Sequence, residues 1–211
     1  NFDRFRGRVL FPIHSLSGRI LGFGGRILKN NAKAAKYLNS PESDIYSKSK
    51  VLYGLFFSKN SIVKKDRCLL VEGYTDVVSM HQSGIENVVA SSGTSLTVEQ
   101  IKLIKRFTTN ITLLFDGDAA GIKAALRGVN LILQEGMNVK VLTFPAGEDP
   151  DSYAKKVSSE DFENYITKQS KDFIEFKCSL LLEEAKEDPI KRAELIKDVA
   201  ATIALIPDNV S

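Results

Sequence analysis

Residues 68–76 read CLLVEGYTD and residues 111–121 read ITLLFDGDAAG, and these two segments indicate a parallel β-sheet. Each begins with a short apolar run, which is typical of a strand buried on both faces. Each run ends directly at a carboxylate, Glu72 in the first segment and Asp116 in the second. Because parallel strands end at the same edge of a sheet, both acids are expected at one edge. This is the edge at which open α/β sheets bind ligands.

An alternation of strand and helix extends outward from these two segments. Thr97 and Gln100 have the spacing of a capping box and predict the start of a helix. The predicted strands cover 68–71, 87–90, 111–115 and 139–144, and the predicted helices between them cover 75–82, 97–107 and 119–134. Strict alternation of this kind predicts an α/β fold with a parallel sheet flanked by helices.

The two ends of the chain have other patterns. Residues 8–13 and 19–23 predict a β-hairpin, which Gly24 and Gly25 are expected to interrupt. Residues 30–50 predict a long loop and residues 51–57 a helix. From Ser158 onward only helices are predicted, over 158–168, 171–186 and 189–206. We therefore expect three subdomains: a basic α+β unit over 1–65, the α/β unit over 66–157 and a helical unit over 158–211.

Asp118 lies two residues after Asp116, and a second pair of acids, Asp149 and Asp151, follows the strand predicted at 139–144 after a short loop. Taken singly, Asp118 and Asp151 are better explained as helix caps. Five carboxylates at one sheet edge would repel one another unless cations neutralise them. Hard oxygen ligands suit Mg²⁺ or Mn²⁺, and two such ions about 3.5–4 Å apart form the usual clamp for displacement at phosphorus.

Charge is distributed unevenly along the chain. Residues 1–65 contain 13 Lys and Arg against 3 Asp and Glu, whereas the remainder contains 16 against 23. A basic segment beside an acidic one suits a polyanion handled through cations, although charge runs are more often solvated faces. The composition, 43% hydrophobic and 26% charged, is that of a soluble globular protein, without an apolar run of membrane-spanning length or a signal peptide.

Three smaller features are the two cysteines, one polar loop and the first residue of the chain. Cys68 and Cys178 are too few for a zinc site and are interpreted as buried thiols in a reducing cytoplasm. The polar loop at residues 91–95 either cradles a phosphate or caps the next helix, and a position beside the site is favoured. Because the chain begins with Asn1 rather than Met, we interpret it as a piece of a longer protein.

The motif VEGYTDVV at residues 71–78, followed by DGDAAG at 116–121, resembles the toprim module of bacterial primases, topoisomerases and some nucleases. The flanks resemble the bacterial replicative DNA primase core, of the DnaG type, at RFRGRVLFPI (4–13), GFGGRIL (22–28), KYLNSPE (36–42), LYGL (52–55) and GEDPDSY (147–153). This resemblance covers about residues 1–157 and is highly specific, whereas the helical tail is not diagnostic. Ser49 departs mildly from the family, which commonly has glycine there.

The resemblance implies a nucleotidyltransferase, a DNA-directed RNA polymerase that makes short RNA primers on single-stranded DNA from ribonucleoside triphosphates. Mg²⁺ or Mn²⁺ is implied as cofactor, without zinc in this segment. The implied metal-site residues are Glu72, Asp116 and Asp118, completed by Asp76, Asp149 and Asp151. The implied phosphate- and template-binding residues are Arg26, Lys36 and Lys48, with Arg6 and Arg8 at the basic start. The implied location is the bacterial cytoplasm at the replication fork, with a helicase reached through a domain outside this chain and no membrane partner.

Two other classes of function stay open at this point. A toprim phosphoesterase such as a nuclease would share the acids but would not need the flank at residues 4–42. A nucleic-acid-binding scaffold without catalysis is disfavoured by the intact acid set, and a topoisomerase would need a nucleophilic tyrosine in a separate domain. The residues do not distinguish a metal ligand from a general base at Glu72.

Overall fold

The computed structural model describes residues 3–28, 35–93, 95–115, 128–145, 147–185 and 189–207. Within these ranges the chain forms a three-stranded sheet and a five-stranded sheet, with helices packed on both faces of the larger one. This arrangement confirms the predicted α/β class. None of the helices in the described ranges is both long and apolar enough to cross a membrane.

The smaller sheet is antiparallel and has the order β1-β2-β3. Its strands are β1 (Arg8–His14), β2 (Ile20–Ile27) and β3 (Tyr37–Asn39). The predicted hairpin is confirmed, but the expected interruption is wrong, because β2 runs unbroken through Gly24 and Gly25. Gly24 lies opposite Phe11, and its missing Cβ leaves room for a tyrosine ring of the larger unit. The predicted loop at 30–50 is also corrected, since it contains β3 and a short 3₁₀ turn at Lys48–Lys50.

The first helix, α1 (Leu55–Lys65), begins later than the sequence pattern predicts. Tyr53 forms a two-way backbone bridge with Ala90, with N···O distances of 2.9 and 3.0 Å. Gly54 then turns the chain through a positive φ of 85° into the helix. Residues 51–54 therefore connect the N-terminal part of the chain to β5 of the larger sheet instead of forming a helical turn.

The larger sheet has the order β5-β4-β6-β7-β8. Its strands are β4 (Cys68–Val71), β5 (Val88–Ala90), β6 (Asn110–Phe115), β7 (Asn138–Thr143) and β8 (Lys171–Asp172). The first four are parallel, as predicted, and β8 pairs antiparallel with β7. The helices between them are α2 (Tyr74–Gln82), α3 (Val98–Lys105), α4 (residues 128–134) and α5 (Pro150–Ala154). Residues 119–127 of the predicted helix 119–134 lie outside the described residues.

Successive residues of the parallel strands alternate between two apolar layers, because side chains of a strand point to opposite faces. Leu70 and Leu113 pack with α1 and α3, whereas Leu69 and Leu114 pack with α2 and the helix that follows α5. Every residue of β4 is buried. This double burial explains why the strand reads as an uninterrupted apolar run.

Beyond α5 the chain forms α6 (Ser159–Gln169), α7 (Phe173–Ala185) and α8 (Pro189–Ile203). Ser158 caps α6 by accepting a hydrogen bond from Asp161 N at 3.1 Å. The prediction of helices alone is wrong at β8, because two polar residues that add an edge strand carry no alternating pattern. Buried Lys177 joins α7 to α8 through an ion pair with Asp198 at 2.8 Å.

Candidate functional site

The four parallel strands end side by side at one edge of the larger sheet, here named the acidic edge. Strand registers place Val71 beside Ala90, and Phe115 beside Thr143. Glu72 follows Val71 directly and is exposed at this edge. Phe115 is the last described residue before Asp116, and Asp116 and Asp118 lie outside the described residues. The strand ends therefore meet as expected, while the placement of these two aspartates stays a prediction.

Asp76 lies in the first turn of α2, close along the chain to Glu72. Its Oδ2 accepts a hydrogen bond from the backbone N of Gly73 at 2.9 Å. This bond satisfies one of the unpaired N–H groups at the start of the helix. Asp76 thus helps to define the backbone that leads from the strand end into α2.

Asp149 and Asp151 lie at the start of α5, at the same side of the sheet. Asp149 caps α5, since its Oδ1 accepts from Ser152 N at 2.6 Å. Asp151 accepts hydrogen bonds from the Ser79 hydroxyl and from Lys155 Nζ, the latter at 2.7 Å. Both acids are therefore already held by protein donors.

The pKa of Asp151 lies below its ordinary value. Partial burial favours the neutral carboxyl group, but the hydrogen bonds from Lys155 and Ser79 and the charges of Lys155 and Arg26 outweigh this effect. The carboxylate is therefore ionised at neutral pH. The small sheet borders the acidic edge, since the Tyr37 hydroxyl of β3 lies 3.4 Å from Thr75 Oγ1 in the first turn of α2.

Arg26 and Lys36 present positive charge from the small sheet. Arg26 is exposed on β2 and pairs in register with Tyr37 of β3. Lys36 directly precedes β3, with its Nζ 6.0 Å from the centroid of the Tyr37 ring. Arg26 of β2 and Lys36 just before β3 are therefore exposed cations on the small sheet, and their contacts with phosphate stay a prediction.

Arg6 and Arg8 differ from each other in their surroundings. Arg6 is exposed in the turn before β1. Arg8 Nη1 donates to the carbonyl of Gly25 at 3.1 Å and to that of Lys36 at 3.4 Å. Arg8 therefore ties β1 to β2 and to the start of β3, a structural role in addition to the binding role predicted for it.

Lys48 lines a small pocket together with Tyr46 and the loop residues Ser91 and Ser92. Residues 91 and 92 of the polar loop therefore lie beside Lys48, a predicted phosphate-binding residue, in agreement with the position beside the site that the sequence favoured. Burial, together with the charge of Glu42, raises the pKa of Tyr46 to about 12. The tyrosine is consequently a neutral hydrogen-bonding group at physiological pH.

Gln100 was predicted only as part of a helix cap, but it also holds the backbone around Lys48. Its side-chain Nε2 donates to the carbonyl of Lys48 at 3.0 Å and to that of Val51 at 2.9 Å. The predicted capping box with Thr97 is confirmed, since Thr97 Oγ1 accepts from Gln100 N at 3.2 Å. Gln100 is fully buried, which indicates a rigid support for this segment.

Tyr74 is a residue of the site region whose role the sequence did not reveal. It is only 2% exposed and stacks on Phe11 with ring centroids 5.1 Å apart. The edge-to-face contact with Tyr53, at 4.8 Å, completes its packing against the small sheet. A large aromatic side chain directly after Glu72-Gly73, at a helix start, is the one signal from which its role could have been inferred.

The donor chemistry of the acidic edge fits a hard divalent cation, because its predicted ligands are all carboxylates. Cys68 is fully buried in β4, and its thiol pKa is raised by burial. Across the ranges that the structure describes, no group of three or more His, Cys, Asp or Glu side chains is gathered to hold a metal ion. The predicted set includes Asp116 and Asp118, which lie outside those ranges.

Comparison with known proteins connects this geometry to a family. Residues 1–59 match the model described as the N-terminal domain of the DNA primase catalytic core, and residues 69–154 match the Toprim-like model. A solved DnaG primase catalytic domain bound to ssDNA is 39% identical, with a TM-score of 0.86, over 98% of this chain and 67% of that chain. This chain belongs to the DnaG-type DNA primase family.

Other primases show the same likeness. A primase domain from Pseudomonas aeruginosa is 39% identical with a TM-score of 0.89, over 98% of this chain and 65% of that chain. The DNA primase of Staphylococcus aureus is 39% identical over 209 residues, which are 99% of this chain and 34% of that protein. The chain therefore spans about a third of the length of the curated primases it matches.

Proposed function

We propose that this chain is the catalytic core with which a primase copies single-stranded DNA into short RNA primers. The observation that carries the proposal is the packing of the basic small sheet against the segment that follows Glu72. Phe11 of β1 stacks on Tyr74, and the Tyr37 hydroxyl of β3 lies 3.4 Å from Thr75 Oγ1. A polymerase needs both surfaces, because it must bind a triphosphate and a template while charge develops at phosphorus. Family membership supports the same assignment.

In this proposal Glu72, Asp116 and Asp118 hold Mg²⁺, for which Mn²⁺ can substitute, and Asp76, Asp149 and Asp151 complete the acidic cluster. The bound cations would supply activation of a 3′-hydroxyl and neutralisation of the leaving pyrophosphate. The acids that the structure describes already have protein donors at Asp76, Asp149 and Asp151. Because the family resemblance implies Glu72, Asp116 and Asp118 as the principal metal ligands, we assign these three a supporting role around them.

The reaction proposed is nucleotidyl transfer. The 3′-hydroxyl oxygen of one nucleotide attacks the α-phosphorus of an incoming ribonucleoside triphosphate, and the bond to pyrophosphate breaks. Arg26, Lys36 and Lys48 neutralise the phosphates of the triphosphate or the template. A second role proposed for the Glu72 carboxylate is to accept the proton of the attacking hydroxyl.

The template and partners follow from the same assignment. One solved relative is described as bound to ssDNA. We propose that single-stranded DNA lies along the small sheet, where Arg26 and Lys36 contact its phosphates, and that Arg6 and Arg8 extend this surface. Contact with a replicative helicase is assigned to a part of the longer protein outside this chain, and the place of action to the bacterial cytoplasm at the replication fork.

The test is incorporation of labelled ribonucleotides on a single-stranded DNA template in Mg²⁺ or Mn²⁺. A short annealed RNA provides the 3′-hydroxyl, because we expect the chain by itself to initiate weakly. Glu72→Gln and Asp116→Asn should each reduce incorporation roughly 100-fold or more, the scale of losing several kcal/mol of charge stabilisation. The matched control is Glu86→Gln, because Glu86 precedes β5 at the opposite edge and contacts Ser61.

Three outcomes are informative. RNA synthesis that both site variants lose, with Glu86→Gln within twofold of the wild type, supports the proposal. Metal-dependent cleavage of the template without RNA synthesis would indicate a toprim nuclease. Salt-sensitive DNA binding with neither activity would leave a nucleic-acid-binding module and contradict the polymerase assignment.

A further inference from the structure

A ring of hydrogen bonds connects the small sheet to the backbone of Glu72. The Tyr74 hydroxyl donates to Asn39 Oδ1 at 2.8 Å, and Asn39 Nδ2 donates to the carbonyl of Ser92 at 3.2 Å. The backbone N of Ser92 then donates to the carbonyl of Glu72 at 3.1 Å, two residues from Tyr74. The ring thus joins β3, the loop after β5 and the end of β4.

The chemistry of the groups fixes the direction of each bond. The Ser92 carbonyl can only accept, so Asn39 must point its amide nitrogen toward it and its oxygen toward Tyr74. The amide oxygen of Asn39 can only accept, so the Tyr74 hydroxyl is the donor in their hydrogen bond. The side chain of Asn39 therefore has one arrangement that satisfies both neighbours.

Ser92 is held in a backbone conformation that serine rarely adopts. Its φ is +60°, in the left-handed region that favours glycine. Its N–H and its carbonyl are both used by the ring, through Glu72 and Asn39. Strained residues persist where surrounding contacts determine them, and here those contacts come from the ring.

We propose that Tyr74 is a positioning residue, which acts through Asn39 to hold the basic small sheet at a set distance from Glu72. Asn39 ends β3, and Tyr37 of the same strand pairs with Arg26. Loss of the Tyr74 hydroxyl therefore loosens Arg26 and Lys36 relative to the acids, whose own strands are unchanged. This inference rests on the proposed function and assigns a residue to it that touches neither substrate nor metal.

The decisive variant is Tyr74→Phe, which keeps the ring packing and removes one hydroxyl. The control is Tyr165→Phe, because the Tyr165 hydroxyl also donates one hydrogen bond, to the Thr143 carbonyl at 3.1 Å, and takes no part in the ring of hydrogen bonds. We expect Tyr74→Phe to raise KM for the ribonucleoside triphosphate roughly fivefold with kcat within twofold. General destabilisation would instead lower the active fraction, reducing apparent kcat without changing KM.

The second test combines Tyr74→Phe with substitution of its hydrogen-bond partner, Asn39. In the Asn39→Leu variant the Tyr74 hydroxyl no longer has the group through which it acts, so adding Tyr74→Phe should leave KM unchanged. A full fivefold effect of Tyr74→Phe in that background would overturn the proposal. So would a KM for Tyr74→Phe within twofold of the wild type, or an equal rise in Tyr165→Phe.

The third arm does not depend on activity. Amide hydrogen exchange at Ser92 reports the bond to the Glu72 carbonyl, and it should be several-fold faster in Tyr74→Phe and unchanged in Tyr165→Phe. Equal exchange at Ser92 in the wild type and in Tyr74→Phe would show that the Tyr74 hydroxyl does not hold this loop, and would refute the proposal. If the wild type incorporates no ribonucleotide, the proposed function fails, whereas exchange at Ser92 still decides whether the hydroxyl holds the loop.

Discussion

Substitution of Gly24 by alanine tests the packing of the small sheet on the larger unit. An added Cβ would lie 2.4 Å from Cζ and 2.5 Å from Cε2 of Tyr74. Ordinary van der Waals contact begins at 3.4 Å, so the strand or the ring must move by roughly 1 Å. The ring has little room to move, because Tyr74 is 2% exposed and packed between Phe11 and Tyr53.

The expected loss is at the upper end of the range for overpacked cores, about 2–3 kcal/mol in the free energy of unfolding. For a chain of this size each kcal/mol lowers Tm by about 2–4 °C, so Tm should fall by roughly 4–12 °C. Urea denaturation followed by circular dichroism measures the first quantity, and a thermal scan measures the second. The matched control is Gly128→Ala in α4, where the added Cβ would meet Leu96 at 3.6 Å.

Gly128→Ala should be neutral or stabilising by up to about 1 kcal/mol, because alanine favours a helix and the distance to Leu96 is an ordinary one. A Tyr74→Leu substitution makes room for the new methyl group at position 24. The double variant should therefore lose at least about 1 kcal/mol less than the sum of its single variants. A stability of Gly24→Ala within about 0.5 kcal/mol of the wild type, or additive losses, would refute the packing argument.

Two further predictions concern charge. Partial burial by itself would raise the pKa of Glu163, but the hydrogen bonds and charges of Lys65 and Arg67 lower it below its ordinary value. The stabilisation by this carboxylate is therefore present above the unfolded-state pKa and is lost as pH falls through the folded-state pKa. Glu163→Gln should thus cost about 0.5–1 kcal/mol near pH 7 and little in acid, and an equal loss at both pH values in urea denaturation would contradict this. Arg26→Ala should make the affinity for single-stranded DNA less dependent on salt. The slope of log affinity against log salt concentration should fall by about 0.7 for each phosphate that Arg26 neutralises. Substitution of Arg19, which is exposed in the hairpin turn, should leave this slope unchanged.

Local patterns account for the parts of the fold that were predicted correctly. Buried strands such as β4 read as apolar runs because both faces are covered, and a capping box such as Thr97 with Gln100 lies within four residues. The boundaries that were wrong depend on distant partners. Gly24 continues a strand because Phe11 pairs with it, and β8 exists because β7 offers an open edge.

The features of the candidate site also fall into those that local sequence predicts and those that depend on distant partners. Acids that directly follow strands could be assigned to one sheet edge from their position in the sequence, since parallel strands share a direction. The supports of the site join residues far apart in the chain: Tyr74 and Asn39 are 35 positions apart, and Asn39 and Ser92 are 53. Gln100 holds Lys48 across 52 positions.

Sequence alone thus established the α/β class, the edge at which the parallel strands end and the basic first segment, because strand periodicity, helix capping and charge are properties of neighbouring residues. Folding decided which of the acids and cations are held by other groups, as Asp151 is by Ser79 and Lys155. It also decided how the small sheet is attached beside Glu72. Those outcomes depend on hydrogen bonds and close packing between separate elements, and such interactions have no period in the sequence.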